Sequence, residues 1–136
     1  GWNAKRELSK INYRIHTDSI KENIVPKLTD KQKQFVYANE ADVINVALFG
    51  MTAKEWKNKN PNVNGNIRDY TDILHLVVLS NLEVLNASMI DNKIPQKIRL
   101  EKLNQTARKQ LVILANDKNI IGVEKLDNND KLIENK

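Results

Sequence analysis

The sequence contains no cysteine, which excludes disulfides, thiolate metal sites and a cysteine nucleophile together and suits a reducing compartment. Glycine occurs only 4 times, and no GxGxxG, Walker-type loop or GxSxG elbow is present, so a phosphate-cradling loop and a nucleophile elbow are both excluded. Aromatic residues make up 5% of the chain, too few to build a row of base-stacking platforms. No apolar run approaches the roughly eighteen residues of a membrane span, and no charged-then-apolar secretory start precedes the first helix. The expected location is therefore cytoplasmic, with no membrane partner. The chain opens on Gly1 and Trp2 rather than Met, which reads as an excised piece of a longer protein in preference to a processed or tagged start.

What is present belongs to an ordinary globular domain. With 136 residues, 40% of them hydrophobic and 29% charged, the chain is long enough for one packed core and too short for two. The net charge of +5 arises from 22 basic and 17 acidic groups mixed along the sequence, a balance that permits contact with nucleic-acid phosphates without requiring it.

Periodicity points to an all-α fold. Ala4, Leu8, Ile11 and Ile15 share one side of a long N-terminal helix from Trp2 to about Ile24, which Pro26 ends. Thr29 to Gln32 has the form of a capping box opening a short helix through about Tyr37. Asn39 caps the next helix, whose apolar face closes at Gly50, and Thr52 to Glu55 opens another short helix that carries Trp56 and stops before Pro61. From Tyr70 to about Asp91 apolar residues nearly encircle a helix, which places it in the middle of a bundle. After Pro95, residues Leu100, Leu103, Ala107, Leu111 and Leu114 form one clean stripe. The expected architecture is a single compact helical bundle over residues 1–117 with two long helices, central and C-terminal, a long N-terminal helix and short connecting helices. Residues 118–136 are expected to form a loosely docked tail.

Candidate chemistry is sparse. The stretch GNIRDY, residues 65–70, gathers Arg68, Asp69 and Tyr70 ahead of the central helix. Gly65 and Asn66 suit a tight turn, Asp69 or Thr71 suits the helix cap, Arg68 suits pairing with a neighbouring carboxylate, and Tyr70 suits a buried ring with its hydroxyl bonded. That structural account leaves no residue over, so no catalytic residue is assigned. The two histidines, His16 and His75, belong to no HxxxH, HExxH or Cys/His pattern, so no metal site and no cofactor is expected. His75 reads as a hydrogen-bonded core or boundary residue. The best phosphate-contacting candidates are Lys5, Arg6, Lys10, Arg14 and Lys21, a basic row on the outer side of the first helix, although a solvated helix face explains the same pattern.

The segments WNAKRELSKINYRIHTDSIKENI, YANEADVINVALFG, TAKEW, GNIRDY and LSNLEVLNASMI, in that order, resemble the region downstream of the KilA-N domain in bacterial and phage-like KilA-N domain-containing proteins. The resemblance covers Gly1 to about Asn116. It implies a non-enzymatic accessory domain that self-associates or binds a partner, a homodimer or a second protein, beside a DNA-binding module lying upstream of this chain. DNA contact would come mainly through that module, with non-specific phosphate contacts from the first helix. At position 75 this chain has His where the family pattern has Glu or Gln, which sets His75 apart from any shared role. The competing expectation is a toxin-like or nuclease-like nucleic-acid hydrolase using Arg68, Asp69, Tyr70 and His16, which requires those four side chains to converge in one cleft.

Overall fold

Four of the five α-helices among the described residues begin where a short polar side chain accepts the first free backbone N–H groups. The computed structural model describes residues 25–116, and among them it contains five α-helices and no strand. They are α1 (Asp30–Gln34), α2 (Glu40–Phe49), α3 (Ala53–Lys59), α4 (Ile73–Asp91) and α5 (Gln96–Ala115), with a 3-10 turn at Ile67–Tyr70. The expected first helix and C-terminal tail lie outside the described residues, as do Lys5, Arg6, Lys10, Arg14, Lys21 and His16.

Both capping boxes form. Thr29 Oγ1 accepts from Gln32 N–H while Gln32 Oε1 accepts from Thr29 N–H, and Thr52 and Glu55 exchange the same pair of bonds. Asn39 Oδ1 caps α2 through Asp42 N–H at 2.8 Å. That helix ends at Gly50, whose φ of 75° is the left-handed conformation glycine adopts without strain. Pro95 opens α5, where a missing N–H removes no helical bond.

Two expected boundaries shift. The first short helix ends at Gln34 rather than about Tyr37, because residues 35–38 run as non-helical chain held by another element. Gln96 accepts from Tyr37 N–H (2.8 Å) and donates to Tyr37 C=O (3.0 Å), occupying both backbone groups that a continued helix would need. The central helix starts at Ile73 rather than Tyr70, since the 3-10 turn intervenes and Asp72, not Asp69 or Thr71, supplies its cap.

The core lies where α2, α4 and α5 pack together, with α5 touching both of the others. Val43, Val46, Leu48, Leu74, Val78, Leu82, Leu100, Leu103 and Leu111 are fully buried there. The stripe on α5 is the expected one, with Leu114 at its partly buried end and Lys102 and Lys109 outside. The expectation that α4 is surrounded does not hold among the described residues. Its neighbours α2 and α5 cover one side, and Leu76, Val84 and Ile90 stay exposed, Val84 at 71%. By length and a mean hydropathy of 1.6, α4 is also sufficient to cross a membrane, which the reading of uninterrupted apolar runs passed over. Its buried side carries His75 and Asn86, with polar partners for both, as suits a core helix of a bundle.

Candidate functional site

The stretch GNIRDY folds into a local scaffold. Gly65 has φ 94°, and a Cβ there would meet Asp69 Oδ2 at 2.5 Å, so glycine is required twice over. The close approach exists because Asp69 Oδ2 accepts from Asn66 N–H (2.8 Å), while Asn66 Oδ1 accepts from Arg68 N–H (2.9 Å). Tyr70 is buried against Trp56, ring centroids 5.6 Å apart, and its hydroxyl donates to Asn64 C=O. Arg68 pairs with Glu83 of α4 at 3.3 Å across a half-exposed surface. The Asp69 carboxylate is thus engaged in the turn, and Arg68 points to α4.

His75 sits in the first turn of α4, 4% exposed, with its ring Nδ1 donating to Asp72 Oδ1 at 2.6 Å. The same oxygen accepts from the His75 backbone N–H at 2.8 Å, so one carboxylate atom caps the helix and fixes the ring. The imidazole stacks on Phe49 of α2 with centroids 5.9 Å apart. His75 is a core residue, as expected, held by a neighbour that the sequence reading did not name.

A larger polar cluster was missed altogether. Arg99 of α5, 7% exposed, donates through Nη1 to Glu40 Oε1 (2.5 Å) and Asn86 Oδ1 (2.8 Å), through Nη2 to Glu40 Oε2 (3.2 Å) and through Nε to Ile94 C=O (2.9 Å). Asn86 closes the set by donating to Glu40 Oε1 at 3.0 Å. One guanidinium thereby ties α2, α4 and α5 together. The Arg99 hydrogen bonds, aided by that of Asn86 and opposed by burial, hold the Glu40 carboxyl below the ordinary glutamate range. The signal available in the sequence was an Arg beside the buried stripe of α5, one position before Leu100, but its partners lie 13 and 59 positions away.

One concavity has an apolar wall and a charged edge. A groove of about 630 Å³ runs beside Phe35, Val36 and Tyr37 and is edged by Asp42, Lys54 and Glu55. Phe35 and Val36 are 56% and 81% exposed, and Phe35 leans on the Tyr37 ring at 4.7 Å. Burial first, then Glu55 and Asp42, push the Tyr37 phenol above its ordinary value, so it stays a neutral hydroxyl at physiological pH. Among the described residues, no group of three or more His, Asp or Glu is placed to hold a metal ion.

No protein-family model matches this chain, and neither a curated protein nor a solved structure does.

Proposed function

We propose that this chain is a non-enzymatic accessory domain of a KilA-N type, DNA-associated cytoplasmic protein, acting by self-association or by binding a protein partner. The observation that carries the reading is a division of labour among side chains. Arg68, Asp69 and Tyr70, the residues nominated for chemistry, are engaged in a turn, a ring stack and a surface ion pair. Large apolar side chains meanwhile remain exposed along α4, along α5 and beside Tyr37, among them Leu76, Val84, Ile98, Val112 and Phe35. Exposed large apolar side chains on a helix face supply what an association surface needs.

DNA contact in this reading is electrostatic and secondary, through Lys5, Arg6, Lys10, Arg14 and Lys21, with the sequence-reading module upstream. The test measures molar mass by light scattering and DNA affinity across salt, for this chain alone and for the chain joined to a KilA-N module. The expected results are a mass above that of the monomer, or a stable complex with one partner, and weak binding by the chain alone that is equal on unrelated DNA sequences and falls steeply with salt. Charge reversal at Arg6, Lys10 and Arg14 lowers that affinity and leaves the mass unchanged. Sequence-specific binding by the isolated chain would place the reader here and overturn the proposal.

A further inference from the structure

A second concavity, a cleft of about 210 Å³, lies where the chain entering α1 meets α5. Three cations from three separate segments face it: Lys27 from the extended entry, Lys33 from α1 and Arg108 from α5. Lys33 and Arg108 are half-buried, and none of the three makes an ion pair among the described residues. Like charges gathered in one cleft with no ion-paired partner among the described residues focus a positive potential there and favour an anion. The cleft also has a fixed floor. Asn104 is 3% exposed, and its amide donates at 2.9 Å to both Pro26 C=O and Ala47 C=O, locking the extended segment that carries Lys27 against α2 and α5.

We infer that this cleft is a binding site for a phosphate monoester. The charge selects the ligand: three cations against the one carboxylate, Glu101, leave a formal +2. A phosphate monoester carries close to −2 at neutral pH, whereas a backbone phosphodiester carries a single charge and leaves the cleft uncompensated. Arg108 offers a planar fork that matches two phosphate oxygens, and the lysines add two point charges. Glu101 and Gln105, on the same wall, suit the hydroxyls of an attached sugar. The cleft holds a phosphate with about one pentose and opens to solvent on its outer side, so the rest of a small sugar phosphate, a nucleotide or the phosphorylated end of a nucleic-acid strand projects outward. The inference uses none of the residues invoked for DNA contact above and stands or falls apart from them.

The experiment is a calorimetric or NMR titration of the full chain at low salt with inorganic phosphate, adenosine 5′-monophosphate, adenosine, and one oligonucleotide bearing either a 5′-phosphate or a 5′-hydroxyl. Inorganic phosphate and adenosine 5′-monophosphate bind and adenosine does not. Preference for the 5′-phosphorylated oligonucleotide over its hydroxyl twin identifies a strand end as the source; binding of the mononucleotide with no such preference identifies a small molecule. Lys33→Gln and Arg108→Gln each weaken inorganic phosphate about tenfold. Lys27→Gln, on an exposed side chain whose loss leaves the fold intact, weakens it about threefold. Glu101→Gln tightens it, an effect of opposite sign that partial unfolding does not produce. Equal binding of adenosine and its monophosphate, or phosphate affinity indifferent to all four substitutions, overturns the inference.

Discussion

Arg99 and Arg108 occupy one helix and have opposite fates. Arg99 is buried with three of its nitrogens bonded to a carboxylate, an amide oxygen and a backbone carbonyl. Arg108, two and a half turns further along α5, is half-buried beside a cleft with two lysines and forms no ion pair among the described residues. The residue type does not decide between structure and recognition; the local supply of acceptors does. Where α2 and α4 present Glu40 and Asn86, the guanidinium becomes an internal tie, and where the neighbouring segments bring Lys27 and Lys33, with Glu101 the one carboxylate on the cleft, it is free to act as a binding group.

The sharpest way to test this contrast is to remove the first guanidinium. Arg99→Met leaves Asn86 Oδ1 and Ile94 C=O without their donor and strips Glu40 of its cation, so unfolding by urea shows a loss of about 3 kcal/mol, at the low end for a broken buried pair because Glu40 stays half-exposed. The floor of the cleft comes next. Asn104→Ala removes two buried bonds that join three segments and lowers stability by about 2 kcal/mol, and phosphate affinity falls with it because Lys27 loses its anchor. A third effect is tied to pH. The folded-state value of Glu40 is lowered, so its contribution is fully present above the ordinary glutamate value and is lost as pH falls through the lowered one. Glu40→Gln therefore flattens the acid limb of a stability-against-pH curve below about 4.5. The smallest change is expected at Arg108→Gln and Arg68→Ala. Each shifts stability by less than about 0.5 kcal/mol, since one side chain has no ion pair to lose among the described residues and the other only a solvent-screened pair. A large loss from Arg108→Gln would erase the distinction between the two arginines.

The helical architecture was legible wherever the signal was local. Thr29, Asn39 and Thr52 announced three helix starts, Gly50 an end, and the stripe from Leu100 to Leu111 a buried face, because caps and periodicity act within a few residues. GNIRDY was read correctly as a turn with a paired arginine and a buried tyrosine, and misread in the cap of α4, which is Asp72 rather than Asp69 or Thr71. What escaped was the identity of the partner wherever distant positions meet. Gln96 holding Tyr37, Arg99 gathering Glu40 and Asn86, and Asn104 bridging Pro26 and Ala47 span 13 to 78 residues, and no spacing rule connects them. The cleft was invisible for the same reason. Lys27, Lys33 and Arg108 belong to no motif, and only the docking of α1 on α5 makes them neighbours.

Gly50 joins these themes at one backbone position. It already lies at positive φ, and a Cβ there would come within 3.0 Å of the Pro26 ring, the residue immediately before Lys27. A single added methyl at that point would wedge the segment entering α1 away from the bundle and carry the first cation of the cleft with it. Such a variant would be mistaken in a screen for one that had lost a contact residue, although the altered position touches no ligand and bears no charge.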